Sequence, residues 1–158
     1  MTPEITRRGV LGLVAMAAAG CTAKGAAYNP ATVSADGRTG IIHVYRPLGT
    51  VATRGESPFV RIGGKSHGRM KAGSFIAVPM PEGDVKVTVQ QSLFLLMPTI
   101  PRSVTVTVVA GGSSYVRLDQ KIDGADVGGG VSVSQSVEIE EVSIEVGQAE
   151  IESTRQNG

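Results

Sequence analysis

One cysteine, no tryptophan and few aromatic residues are the first features of this 158-residue sequence. A single cysteine excludes an internal disulfide, so the burial of apolar side chains has to hold the fold together. Aromatic residues make up only 4% of the chain, whereas glycine is frequent at 21 residues. A core built from Val, Ile and Leu, with turns supplied by glycine, favours β structure.

The sequence also lacks an apolar run long enough for a transmembrane helix, which takes roughly 20 residues. The N-terminal apolar run at 10–19 is too short for that purpose, and it stands between an arginine pair and the only cysteine, Cys21. A basic start, a short apolar stretch and small residues before a cysteine are typical of a bacterial lipoprotein signal. The residues that we expect the export and processing machinery to recognise are Arg7, Arg8, Ala18, Ala19 and Gly20.

We expect cleavage before Cys21, acylation of that residue with palmitate-type chains, and anchoring of the chain in a membrane of the cell envelope. Thr22 stands where an aspartate favours retention at the inner membrane, so we expect the periplasmic face of the outer membrane. The arginine pair fits either the twin-arginine or the general export path. The alternative is a plain secretory signal that leaves Cys21 as a free thiol.

Three segments follow from this interpretation: a signal peptide over 1–20, a flexible tether over 21–39 and a folded domain over 40–158. The tether is rich in small residues and has low complexity. In the domain, about eight short β-branched runs alternate with Gly and Pro turns, which predicts an all-β, antiparallel two-sheet β-sandwich. The tail 140–151 is compatible with a short helix on a sheet edge, with Val142, Val146 and Ala149 on its apolar face.

Several stretches resemble the small bacterial lipoproteins grouped as domain of unknown function 2846. They are IIHVYRP at 41–47, SPFVRIGGKSHGRMKAGSFIAVPMPEGDVKVTV at 57–89, AGGSSYVRL at 110–118 and EVGQAEIEST at 145–154. The resemblance implies a lipoprotein with a β-sandwich of transthyretin-like or carboxypeptidase-regulatory-like type. It implies no known activity.

Charge is distributed unevenly along the chain. Residues 21–118 contain eleven Lys and Arg against four Asp and Glu, and residues 119–158 contain two against nine. Either the two parts lie close together and compensate each other, or the basic part contacts anionic headgroups or envelope polymers. Basic residues are not interleaved with aromatic residues, so we expect no nucleic-acid binding.

The sequence offers no residue set for catalysis, and we expect no enzyme, cofactor or metal site. The two histidines, His43 and His67, lie far apart without the spacing of metal ligands. The stretch 63–66 lacks the glycine spacing of a phosphate-binding loop and predicts a hairpin turn. Asp119, Asp123 and Asp126 do not fit a calcium-binding loop, and we expect a solvated acidic turn there.

An apolar stretch bracketed by prolines covers 93–101. Either it crosses over and plugs one end of the sandwich, or it forms an exposed lip for a partner protein, a second copy or a membrane surface. The residues of this candidate surface are Leu93, Phe94, Leu95, Leu96, Met97, Ile100 and, at its rim, Arg102.

The sequence therefore predicts a lipid-anchored envelope lipoprotein that acts as a non-catalytic binding or scaffolding module. The alternatives are a structural homo-oligomer that pairs through 93–101 and an accessory domain of an envelope enzyme. The expected partners are the membrane and either another envelope protein or a second copy of the chain.

Overall fold

The computed structural model describes residues 22–30, 35, 37–50, 53–93, 97–98, 100–126 and 132–158. Its strands and its helix are β1 Thr39–Arg46, β2 Phe59–Ile62, β3 Lys65–Arg69, β4 Ser74–Pro81, β5 Gly83–Gln90, β6 Ser92–Leu93, β7 Met97–Pro98, β8 Arg102–Val108, β9 Ser113–Asp126, β10 Ser132–Val142, α1 Ile144–Ile151 and β11 Arg155–Gln156. No helix among the described residues is long and apolar enough to cross a membrane.

Two main sheets face each other, which confirms the predicted all-β two-sheet sandwich. One sheet has the strand order β10-β9-β1-β4-β11 and the other has the order β3-β2-β5-β8, while β6 and β7 form a separate short pair. Most neighbours are antiparallel, but β9 pairs with β1 in parallel and β11 pairs with β4 in parallel. The β1–β9 pair is parallel because the chain crosses to the four-stranded sheet after β4 and returns at the end where β1 begins.

The core between the sheets is aliphatic, as expected from the shortage of aromatic residues. On β5 the side chains of Val85, Val87 and Val89 point inward, and every second residue points outward. The same alternation on the facing strands produces one continuous apolar layer, which provides most of the hydrophobic stabilisation. Its buried members are Ile42, Val44, Val60, Ile62, Met70, Val85, Val87, Val89, Val106, Val108, Val116, Leu118 and Val137.

A second apolar cluster lies on the outer face of the five-stranded sheet, beneath α1. It contains Tyr45, Phe75, Tyr115 and Ile151. The helix approaches the sheet so closely that a Cβ atom on Gly147 would lie 2.3 Å from Cγ of Tyr115. The C-terminal helix is therefore confirmed, but it covers a sheet face rather than an edge.

The predicted apolar face of that helix is wrong. Val142 belongs to β10, Ala149 is exposed and Val146 is 44% exposed, whereas Gly147 and Ile151 are buried. The contact with the sheet is made through a glycine, which the spacing of apolar residues cannot reveal.

Part of the segment predicted as a flexible tether is bound to the domain. We call 22–30 the leader. Thr22 forms a parallel bridge with Ala72, and Ala27 forms an antiparallel bridge with Arg155 on β11. The leader thus lies along the edge of the five-stranded sheet instead of leaving the domain as a free chain, because β11 offers unpaired backbone groups to it.

Candidate functional site

Many of the residues singled out in the sequence lie outside the described part of the chain. These are Arg7, Arg8, Ala18, Ala19, Gly20 and Cys21 of the signal, together with Phe94, Leu95 and Leu96 of the apolar stretch.

The described part of the apolar stretch lies at one end of the sandwich. Leu93 and Met97 pair through their backbones in the short β6–β7 ladder. Ile100 is 86% exposed, and Arg102, which begins β8, is exposed as well. The structure therefore brings an exposed apolar residue and an exposed cation together at the end of the candidate lip.

The outer face of the four-stranded sheet is basic. Strand register places Arg61 of β2 beside Thr88 of β5, and Lys86 lies two residues before Thr88 on the same face. Both cations are exposed. At the other end of β2, the guanidinium of Arg69 lies 4.4 Å from the centre of the Phe59 ring, which is a cation–π contact.

This face is concave where β2, β3 and β5 meet the end of the connection before β8. A cavity of about 340 Å³ opens there, and we call its lining together with Lys86 and Arg69 the basic sheet face. Its lining residues are Phe59, Arg61, Ser66, Thr88, Gln90 and Pro101. Cations, hydroxyl groups and one exposed aromatic ring are suited to hold an acidic group.

The cations of the basic sheet face form no ion pair among the described residues, although exposed Asp84 lies on the same face two residues before Lys86, where it accepts a hydrogen bond from Thr107. Within the described residues, ion pairs join Arg117 to Asp119 at 2.7 Å, Arg117 to Glu150 at 3.1 Å, and Lys121 to Glu138. All of them belong to the five-stranded sheet and α1. The first of the two charge hypotheses, mutual compensation, therefore holds for Arg117 but not for the basic sheet face.

A second concavity of about 360 Å³ lies between the edge strands β8 and β10. Arg102 contributes a positive charge to it, and Glu138 and Glu140 contribute negative charges. Because Glu138 is already paired with Lys121, this cleft offers a mixed surface without a clear preference for one ligand charge.

Arg46 is the most deeply buried cation of the described residues, at 2% exposure. Its Nη1 donates to the carbonyl oxygens of Glu56 at 2.5 Å and Met70 at 3.1 Å, and its Nη2 donates to the carbonyl oxygen of Thr53 at 2.6 Å. Nη2 also donates to Oε1 of Gln120. Burial lowers the pKa of Arg46, while the carboxylates of Glu56 and Asp119 oppose that shift.

The same network holds the carboxylate of Glu56. Nε2 of Gln120 donates to Glu56 Oε2 at 2.8 Å, and Nε2 of Gln91 donates to the same oxygen. We call these residues, with Arg46 and Thr53, the Arg46 network. It connects β1, the loop after β1, the residue that follows β5 and the middle of β9, so its donors and acceptors are occupied in holding one end of the sandwich together.

His43 lies in the second apolar cluster and is 2% exposed. Its ring stacks on Tyr115 with 4.7 Å between ring centres, and the ring of Tyr28 from the leader packs edge-on at 5.7 Å. Nδ1 of His43 is buried and has no hydrogen-bond partner among the described residues. Burial lowers the pKa of His43 to about 4, so the imidazole is neutral at physiological pH and enclosed by aromatic rings.

No group of three or more metal-ligating side chains occurs in the described ranges. The expected acidic turn is wrong for Asp119, Asp123 and Asp126, because all three lie within β9. Asp119 pairs with Arg117, and Oδ1 of Asp123 accepts a hydrogen bond from Ser136 Oγ at 2.9 Å.

No protein-family model matches the chain, and neither a curated protein nor a solved structure matches it. The described residues form an all-β two-sheet sandwich with one basic concave sheet face, a covered aromatic cluster on the other sheet and a leader bound at the edge of that sheet.

Proposed function

We propose that the chain is a lipid-anchored, non-catalytic binding domain of the bacterial envelope that holds an acidic partner on its basic sheet face. The observation that carries this proposal is the group of unpaired cations around a concave surface. Arg61, Arg69 and Lys86 take part in none of the ion pairs of the described residues. A desolvated acidic group would gain charge-assisted hydrogen bonds there.

The position of the leader supports a membrane attachment at Cys21. Thr22 is held against Ala72 by a backbone bridge, so the residue expected to be acylated is the next one along a chain that is already bound to the domain. Together with the signal-like sequence before Cys21, this favours a lipid anchor, and Thr22 in place of an aspartate favours the periplasmic face of the outer membrane as the location.

The use of the buried polar groups supports a binding role over an enzymatic one. The Arg46 network is engaged with backbone carbonyls and with Glu56, and His43 is enclosed by Tyr28 and Tyr115. The resemblance to the domain of unknown function 2846 lipoproteins agrees with such a role, since it implies no activity.

The membrane attachment is tested by a Cys21→Ala variant expressed in a bacterial host. We expect the wild-type chain in the membrane fraction and the variant in the soluble periplasmic fraction, because the variant has no acyl chains to insert. Metabolic labelling with a palmitate analogue should mark the wild type alone. A Cys21→Ala chain that remains with the membranes after a salt wash would contradict the lipid anchor.

The binding surface is tested by photo-crosslinking from Thr88 in intact envelopes. We expect an adduct whose yield falls when Arg61→Glu and Lys86→Glu are combined and when salt is raised, because both changes weaken charge pairing. The matched control is Lys121→Glu compared with Lys86→Glu alone, since each reverses one exposed lysine, the first on the five-stranded sheet and the second on the basic sheet face.

An adduct that is insensitive to both the charge reversal and the salt would rule out the basic sheet face as an electrostatic site. The mass of the adduct also addresses the alternatives. Twice the mass of the chain identifies self-association, and a larger partner with hydrolytic or transferase activity identifies an accessory domain.

A further inference from the structure

The two ends of the sandwich differ in chemistry. At one end β1 finishes at Arg46, β5 finishes at Gln90 and β4 begins at Ser74. The leader meets the sheet at the same end, because Thr22 bridges Ala72 just before β4. We call this the leader end. The opposite end carries the β4–β5 turn, and we call it the turn end.

The leader has little freedom where it is bound. The amide of Ala23 donates to the Ala72 carbonyl at 3.2 Å, and the amide of Gln156 donates to the Ala26 carbonyl at 2.7 Å. A Cβ atom on Gly25 would lie 2.2 Å from the carbonyl oxygen of Gln156, so only glycine allows this approach. Cys21 directly precedes Thr22, and consecutive Cα atoms are about 3.8 Å apart. An acyl group on Cys21 is therefore attached one residue before the bound leader.

The leader end has the composition of a surface that rests on an anionic bilayer. Leu48, which follows β1, is 45% exposed, and Ile100, which precedes β8, is 86% exposed. Arg69 and Arg102 are exposed beside them. Apolar side chains at the headgroup boundary and cations that pair with anionic headgroups are the two contributions that hold a protein surface on a membrane.

Carboxylates near this end are already engaged within the protein. Glu56 accepts hydrogen bonds from Gln91 and Gln120. Asp123, on the part of β9 that extends beyond its pairing with β1, accepts one from Ser136. Among the described residues, Arg69 and Arg102 form no ion pair with a carboxylate, although Glu138 and Glu140 line the same cleft as Arg102.

The turn end also exposes apolar side chains, but there the exposed cations Arg38 and Lys65 are mixed with exposed carboxylates. Val109 is 62% exposed and Ile144 is 50% exposed. Around them are the exposed carboxylates of Glu82 and Glu145, which an anionic membrane repels. Apolar exposure alone does not distinguish the two ends, whereas charge and the exit of the chain do.

We propose that the leader end lies against the anionic bilayer, with Leu48 and Ile100 at the headgroup level and Arg69 and Arg102 on the headgroups. This inference rests on the lipid anchor of the proposed function. It assigns a fixed orientation to the domain: the acyl chains enter the membrane beside Thr22, Arg69 at the edge of the basic sheet face pairs with headgroups, and Arg61 and Lys86 are left for an envelope partner.

The orientation is tested with the full, lipidated chain in vesicles of phosphatidylethanolamine and phosphatidylglycerol that contain nitroxide-labelled lipids. Because acylation blocks the thiol of Cys21, a single new thiol can be labelled with a fluorophore. We expect lipid nitroxides to quench a label at Ile100→Cys several-fold more strongly than a label at Val109→Cys, the matched control at the turn end.

Three outcomes in chains that float with the vesicles would overturn the orientation while leaving the anchor intact. They are equal quenching at both positions, stronger quenching at Val109→Cys, and no quenching at either position. An Ile100→Cys label that is unquenched and crosslinks to a second copy would assign this end to self-association instead. If wild type and Cys21→Ala float equally poorly, the proposed anchor itself fails.

A second pair of variants tests the contribution of charge. Arg69→Glu combined with Arg102→Glu should lower the quenching at Ile100→Cys, and high salt should do the same in the wild-type background. Flotation should persist in both cases, because the acyl chains remain. Quenching that is unchanged by the reversal would contradict the assignment of these cations to the headgroups.

Discussion

Replacing Arg46 by leucine is expected to destabilise the domain by about 3–5 kcal/mol, the range for breaking a buried charged network by removing one partner. Leucine fills part of the volume but donates no hydrogen bond. The carbonyl oxygens of Thr53, Glu56 and Met70 then lose their donor inside the protein. The free energy of unfolding from a denaturant titration measures the loss directly.

The remaining carboxylate makes the cost larger than the loss of hydrogen bonds alone. Glu56 retains its two glutamine donors, but the guanidinium that balances its charge is gone. The carboxylate of Glu56 is half-buried, and a carboxylate that loses its counter-charge away from bulk water costs more than an unpaired neutral group. Loosening of the loop after β1 should accompany the loss and should appear as faster amide exchange around Thr53.

Two control variants separate charge from geometry. Arg46→Lys keeps the charge but cannot direct donors to four acceptors at once, so we expect an intermediate destabilisation. Arg61→Leu removes an exposed arginine of the neighbouring sheet, and we expect a change within about 0.5 kcal/mol. An Arg46→Leu variant as stable as Arg61→Leu would show that the Arg46 network does not hold this end of the sandwich.

Alternation of apolar and polar residues was sufficient to predict the sandwich. Strands such as Phe59–Ile62 and Gly83–Gln90 bury every second side chain, and that period of two is visible in the sequence. The length of β9 and β10 was not visible, because much of that hairpin consists of Ser, Asp and Gly and buries few side chains. The two-residue strand β11 is defined by pairing with β4 rather than by its composition.

The candidate site could be predicted only in part. The pattern of β2 indicates that Arg61 points to solvent, but its position beside Ser66 and Thr88 depends on strand register across the sheet. The burial of Arg46 could not be predicted, since its partners are carbonyl groups that are remote in sequence. Arg46 ends β1 directly before Pro47, and this local sequence does not indicate which groups the guanidinium contacts.

His43 illustrates the same limit in the second apolar cluster. It stands between Ile42 and Val44, which are both buried in the core, so alternation places His43 on the outer face of the sheet. Solvent exposure would be the ordinary outcome for that position. The leader and α1 cover it instead, because Tyr28 and the helix pack on this face and enclose the imidazole between aromatic rings.

This enclosure predicts a loss of stability in mild acid. Burial lowers the pKa of His43 from 6.5 to about 4, so the unfolded chain binds a proton more readily than the folded one. The contribution of neutral His43 to the free energy of unfolding is therefore complete above pH 6.5 and is lost as the pH falls from 6.5 towards 4. Between pH 7.5 and pH 4.5 the contribution of His43 should fall by about 2–3 kcal/mol.

A His43→Phe variant isolates this effect, since phenylalanine also stacks on Tyr115 but does not titrate. We expect the free energy of unfolding of the wild type to fall more steeply than that of the variant between pH 7.5 and 4.5, with a difference of about 2–3 kcal/mol. His67→Gln, on β3 and outside the aromatic cluster, is the matched control and should follow the wild type. Because titrating carboxylates affect all three chains alike, parallel curves for wild type and His43→Phe would mean that His43 is not held neutral by the leader and the helix that cover it.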